Sequence, residues 1–272
     1  MRKGSTNVSH TGSMCRSKGI GTIRLELAPS ETAAEPLLRA LIRDFNTTGE
    51  PIYQARNELR RVYWNGQPVI VKSFAVPNLI RRYIYGRFRA SKASKSFHNA
   101  QMLDRLGVGT PRPIGFIEYF CGGGLSQSFY VSREWPADFT IREPLMDTGF
   151  PNRNKILQAL GHFAWDLHSK NIYHRDFSPG NILIKANADG ALVFALVDVN
   201  RMHFSPLSLE ARMQNFAMLW ATEDDLKVII NAYTQASGDA PGWAAALALE
   251  YSAQHKARAT RKERLKTLLK LH

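Results

Sequence analysis

The sequence predicts an α+β protein of two lobes, a small β-rich lobe with one main helix followed by a mostly helical lobe. Three observations carry the prediction. Asn65-Gly66, the strongest short-range hairpin signal, lies between the strand-like runs 60–64 and 67–72. A helical stripe of apolar residues then covers 92–106, with Ala93, Phe97, Ala100, Leu103 and Leu106 on one face. Beyond residue 136 helical patterns dominate, first over 154–168, where Ile156, Leu157, Leu160, Phe163, Ala164 and Leu167 share a face.

Taken in order, residues 1–30 are rich in Ser, Gly and Thr without periodicity and are expected to be a disordered extension, with Met14 an alternative start. The first lobe is assigned to 31–135. After the strand at Pro51-Ile52-Tyr53, the turn Gln54 to Glu58 and the Asn65-Gly66 hairpin, the main helix stops at Gly107. Thr110-Pro111-Arg112-Pro113 breaks the chain, and strands are expected over 114–120 and 128–133. Glu134-Trp135-Pro136 marks a hinge, and the second lobe is assigned to 136–272, with further helices over 207–220, 223–235 and 243–255.

A 272-residue chain that is 44% hydrophobic and 22% charged can bury a sizeable core. It has no apolar run of about 18 residues to span a membrane, and its basic N-terminus lacks the apolar stretch of a secretory signal, so a cytoplasmic protein is expected. Cys15 and Cys121 form no short-spacing pattern, which gives a disulfide or zinc site little support. A formal net charge of +13 favours an anionic partner without choosing one. No nucleic-acid-binding motif accompanies it, so nucleic acid is not expected.

The chemistry concentrates in Tyr173-His174-Arg175-Asp176-Phe177-Ser178-Pro179-Gly180-Asn181, followed by Val197-Asp198-Val199-Asn200. H-R-D-x-x-x-x-N is the signature of a kinase catalytic loop. In that loop an Asp accepts the proton of an attacking hydroxyl, and five residues on an Asn turns toward a metal bridging the nucleotide phosphates. Asp198 is placed to complete a magnesium site, because the apolar runs 182–184 and 192–197, joined by the turn Asn187-Ala188-Asp189-Gly190, form a hairpin that ends there. Two features disfavour a peptide acceptor. Ser178 stands where serine/threonine protein kinases carry a lysine, and the next helix already begins near Leu207, leaving no room for a long activation segment.

On these residues the chain resembles the lipopolysaccharide core kinases, the Kdo and heptose kinase family of the protein-kinase-like superfamily. Val71-Lys72-Ser73-Phe74, the stretch Pro77 through Arg89, Leu106 through Pro113, Asp176 through Asn181 and Val197 through Met202 carry the resemblance, from about Gln54 to the C-terminus. It implies a bilobal protein-kinase-like fold and transfer of phosphate from ATP, with Mg, to a sugar hydroxyl. The implied acceptor is a lipid A-linked core oligosaccharide at the inner membrane of a Gram-negative bacterium. It further implies that Lys72 holds the α- and β-phosphates, Asp176 is the base, Asn181 and Asp198 bind the metal, and Glu134 offers its backbone to the adenine edge.

Two departures stand out. The turn that should cover the phosphates, Gln54-Ala55-Arg56-Asn57-Glu58, has no glycine; either Arg56 or Asn57 reaches the phosphates by side chain, or this is an ordinary hairpin turn. The first glutamate after Lys72 is Glu118, in a strand, while the helix offers His98, Asn99, Gln101 and Asp104. Lys72 is then held by another carboxylate, such as Asp198, or the enzyme is impaired. The rivals are therefore an atypical protein serine/threonine kinase and a pseudokinase serving as a membrane-associated binding module. Arg81, Arg82, Arg87 and Arg89, interleaved with aromatics, suit either an anionic membrane surface or a solvated helix face, and the basic C-terminus poses the same choice.

Overall fold

A computed structural model describes residues 11–14, 20–76 and 89–270. The chain forms two compact units that divide between Trp135 and Pro136. The first is built on a seven-stranded antiparallel sheet of order β1-β2-β6-β7-β5-β4-β3. Its strands are β1 (Thr11–Met14), β2 (Ile20–Leu27), β3 (Glu50–Gln54), β4 (Glu58–Trp64), β5 (Gln67–Ser73), β6 (Pro113–Cys121) and β7 (Gly124–Arg133). The β4–β5 turn has Asn65 and Gly66 both at positive φ, 51° and 73°, the backbone that an Asn-Gly hairpin turn requires.

The disordered extension expected through residue 30 is corrected here. Ile20–Leu27 is a full strand paired with β6, from Thr22 opposite Phe120 to Leu27 opposite Gly115. Ile23, Leu25 and Leu27 pack on the core by period-2 alternation, a signal that the polar residues between them dilute. A second helix also joins the expected one. α1 (Glu35–Asp44) buries Leu37, Leu38, Leu41 and Ile42 against one sheet face, with Val69, Val71 and Val131. α2 (Lys92–Arg105) is capped by the Ser91 side chain and covers the other face through Ala93 and Phe97, which cluster with Phe74 and Phe116. Cys121 is disulfide-bonded, against expectation, since a disulfide depends on nearness in space that sequence spacing does not report.

The second unit is helical around short strands: β8 (Phe139–Thr140), β9 (Ile172–His174), β10 (Ile182–Ala186), β11 (Leu192–Leu196) and β12 (Met202–Phe204). β11-β10-β8 form one small sheet and β12-β9 another. Its helices are α3 (Arg142–Met146), α4 (Arg153–Ser169), α5 (Leu209–Phe216), α6 (Glu223–Ser237) and α7 (Pro241–Lys270). α4 meets α6 at Gly161, where an added Cβ would overlap the Ile229 carbonyl oxygen and lie 2.9 Å from Ala232 Cβ. That close approach anchors α4, which leads straight into β9 and the loop beyond it. The expected α+β class stands, with the helix expected over 243–255 and the basic C-terminal helix running as one, α7, to Lys270. Among the described residues no helix is long and apolar enough to cross a membrane.

Candidate functional site

In the second unit, the residues from His174 to Asn181 connect β9 to β10 and are tied to the end of β11. His174 is 1% exposed, with both ring nitrogens engaged. Its Nδ1 accepts the backbone N–H of Asp176 at 3.0 Å, and its Nε2 donates to the Val197 carbonyl at 3.0 Å. Phe177 is fully buried against His174 and Phe216. Burying the side chain beside Asp176 pins the loop while its carboxylate stays partly exposed.

Asn181 turns back across this loop. Its Nδ2 donates to the Asp176 carbonyl at 2.9 Å and to Ser178 Oγ at 3.0 Å, and the Val197 N–H donates to the Asn181 carbonyl at 3.0 Å. Both amide hydrogens are thus committed to the loop, which leaves Oδ1 as the side chain's ligand atom. Asp198 sits at positive φ (55°) and its Oδ1 accepts a short hydrogen bond from Asn200 Nδ2. A non-glycine residue held in this region is the kind of local strain found at functional sites. Asp176, Asn181 and the residue before Asp198 are therefore joined by direct hydrogen bonds. Sequence reasoning missed Arg142, which opens α3 and lays its guanidinium over Gly180, 2.7 Å from where a Cβ would stand.

The first unit holds the remaining candidates. Lys72 lies on β5 opposite Tyr130, which lies opposite Phe116, which in turn lies opposite Glu26 on β2. The four side chains share the sheet face that α2 covers. Lys72 Nζ is 5.3 Å from the Phe74 ring centre, and burial pushes the Tyr130 hydroxyl well above its usual range. Where α2 was expected to carry a glutamate it presents His98, whose Nε2 lies 3.2 Å from Glu26 Oε2. The carboxylate on this helix comes from β2, the strand that composition hid. Glu118 is fully buried on β6, 3.2 Å from Arg24, and burial raises its carboxyl despite that cation.

Arg56 is exposed at the tip of the β3–β4 turn, whereas Asn57 accepts the Ala75 N–H on its Oδ1 at 3.3 Å. Glu134 is held by Arg61 at 2.6 Å, and its own N–H donates to the Pro68 carbonyl at 3.1 Å. Any contact of its backbone with a nucleotide therefore falls to its carbonyl. Among the described residues no cluster of three or more His, Cys, Asp or Glu could hold a metal on its own. Magnesium needs no such cage, since it keeps several waters and takes one or two protein oxygens beside substrate phosphates.

A β-rich unit followed by a helical unit that carries an H-R-D-x-x-x-x-N loop is the arrangement of a kinase. Residues 56–249 match the lipopolysaccharide kinase (Kdo/WaaP) family. The chain belongs to that family. Its fold is similar to that of a solved structure described as WaaP in complex with acyl carrier protein, with a TM-score of 0.58 and 16% identity, covering 88% of this chain and 98% of that one. It is also similar to the Rio2 kinase of Chaetomium thermophilum, solved as an ADP/Mg2+-phosphoaspartate complex, with a TM-score of 0.50 and 15% identity over 95% and 82% of the two chains. No curated protein matches the sequence.

The loop's surroundings set a pH dependence. Burial holds the His168 imidazole, on α4, well below its usual range, at about 4. Between about 4 and 6.5 the folded protein therefore binds fewer protons than the unfolded chain. The stability this group contributes is whole above about pH 6.5 and is lost as pH falls through about 4, roughly 3 kcal/mol in all. Urea unfolding of wild type and His168→Gln at pH 7.5 and pH 5 should show the difference between them shrink by about 2 kcal/mol on acidification. A constant difference would contradict a neutral, buried His168.

Proposed function

We propose that the protein transfers the γ-phosphoryl group of ATP, with magnesium, to a hydroxyl of a lipopolysaccharide inner-core sugar, Kdo or heptose, on a lipid A-linked acceptor. The observation that carries the reading is the hydrogen-bonded loop that fixes Asp176 beside Asn181 and Asp198. Asp176 accepts the proton of the acceptor hydroxyl as its oxygen bonds to the γ-phosphorus and the bond to the β–γ bridging oxygen breaks, releasing ADP. Asn181 Oδ1 and the Asp198 carboxylate would hold magnesium, hard oxygen ligands suited to that ion. When bound, it offsets charge on the phosphates.

Lys72 would pair with the α- and β-phosphates and Arg56 would reach them by side chain. Asn57, tied to Ala75, would shape the turn as well as reach them. The Glu134 carbonyl would meet the adenine edge. Catalysis on this account is positioning and electrostatics. Asp176→Ala should lower transfer from labelled ATP to Kdo-lipid A or heptosylated core by about 10²–10⁴-fold, the usual worth of a general base. Transfer at the wild-type rate in that variant would reject the assignment. Nucleotide binding without transfer to any acceptor in the wild type would favour the binding-module reading.

We also propose that the acceptor is met at an anionic membrane surface on the cytoplasmic side. Arg81, Arg82 and Arg87 lie outside the described residues, and Arg89 is exposed. Support comes from α7, whose residues 251–270 carry seven lysines and arginines against one acid, Glu263. His255, Lys262 and Lys266 fall on one face of it, and Trp220, 50% exposed at φ 58°, packs edge-on against His255. An aromatic beside a cationic helix face suits the headgroup region. Lys262→Glu with Lys266→Glu should weaken sedimentation with phosphatidylglycerol vesicles several-fold, each cation near such a surface being worth about 1 kcal/mol. Unchanged sedimentation would remove this helix from the interface.

A further inference from the structure

The hydrogen bonds behind the loop run in one determined direction. The His174 carbonyl can only accept, and Asn215 reaches it at 2.8 Å, so the Asn215 atom there is the donor Nδ2. Asn215 Oδ1 then faces His168 Nε2 at 3.1 Å, which must carry the proton. His168 Nδ1, left unprotonated, accepts from the Tyr233 hydroxyl at 3.1 Å. The Tyr233 oxygen in turn accepts from Arg212 Nη1 at 3.0 Å, and the same guanidinium is held by Asp239 at 2.8 Å.

The three middle links are buried: His168 is 3% exposed, Asn215 1% and Tyr233 0%. Each residue comes from a different helix, α4, α5 and α6, and the chain ends on the residue whose ring holds the Asp176 amide. A guanidinium that can only donate stands at one end and a carbonyl that can only accept at the other, so no member can be reversed alone. Burial holds both His168 and His174 neutral near pH 7, the state in which each ring has one donor and one acceptor.

We infer that Asn215 is a positioning residue for phosphoryl transfer, with His168 and Tyr233 fixing its amide so that the His174 carbonyl, and through the His174 ring the Asp176 backbone, is held in place. The inference rests on Asp176 being the base. Asn215→Asp keeps the shape but sets an oxygen against the His174 carbonyl, removing the donor. Two readouts separate the claims. Amide hydrogen exchange of the 173–181 segment, which needs no acceptor, should quicken in Asn215→Asp while exchange in α4 stays as in wild type. The kcat should fall about tenfold, the factor worth one hydrogen bond, with KM for ATP within about twofold.

Tyr233→Phe, a smaller change, should move both readouts in the same direction by about threefold and serves where Asn215→Asp fails to fold. Quickened exchange in the loop together with full transfer by Asp176→Ala would keep the positioning role and remove Asp176 as base. Loop exchange and kcat both unchanged, in whichever of the two variants folds, would overturn the inference. So would a rise in KM with kcat intact.

Discussion

The buried ring of His174 is the constraint on which the candidate site depends. One imidazole takes the Asp176 amide on one nitrogen and gives its proton to the Val197 carbonyl with the other. The loop that carries the proposed base and the strand end that carries Asp198 are thereby tied to a single side chain. A neutral ring is needed for both bonds, and burial supplies it by holding the imidazole below its usual range. Phe177, buried beside it, converts apolar packing into carboxylate placement, since its neighbour Asp176 must then face outward. Asn181 closes the arrangement by committing its amide hydrogens to the loop, so that the oxygen is the atom proposed for magnesium.

Much of this was legible in the sequence, because local chemistry dictates it. Asn65-Gly66 demands a turn with two positive φ angles, and the structure has them. The spacing of Asp176, Asn181 and Asp198 reflects a loop and a hairpin of fixed length, which is why the sequence alone marks the three as candidates. What the sequence hid is non-local. β2 alternates apolar and polar residues too briefly to stand out beside a Ser- and Gly-rich leader, and its placement became visible only through its pairing with β6. α1 carries a clear stripe, Leu37, Leu38, Leu41 and Ile42, that a helical-period search of 31–50 would have found. Nothing local in α7 stops it at residue 255, since no glycine or proline intervenes before Lys270. Arg142 and Asn215 lie far in sequence from the residues they serve, and no spacing rule reaches them.

The missing helix glutamate looks different in the folded first unit. His98 occupies α2 where a carboxylate was expected, and the carboxylate facing it, Glu26, comes from the strand below. Lys72 shares its sheet face with Glu26, three strands away, with Tyr130 and Phe116 between them. The helix is thus tied to the sheet by a histidine–glutamate contact and by the apolar cluster of Phe74, Phe97 and Phe116. α2 thus turns a histidine, not a carboxylate, toward the sheet, and the carboxylate it meets belongs to β2.

The measurement that bears most directly on the account is calorimetric binding of ATP with and without magnesium, in wild type and in Asp198→Asn. If Asn181 and Asp198 hold the ion beside the phosphates, removing magnesium should weaken ATP binding by about tenfold or more in the wild type and change it little in the variant. Equal ATP affinity with and without magnesium in the wild type would contradict the assignment of these residues as the metal site.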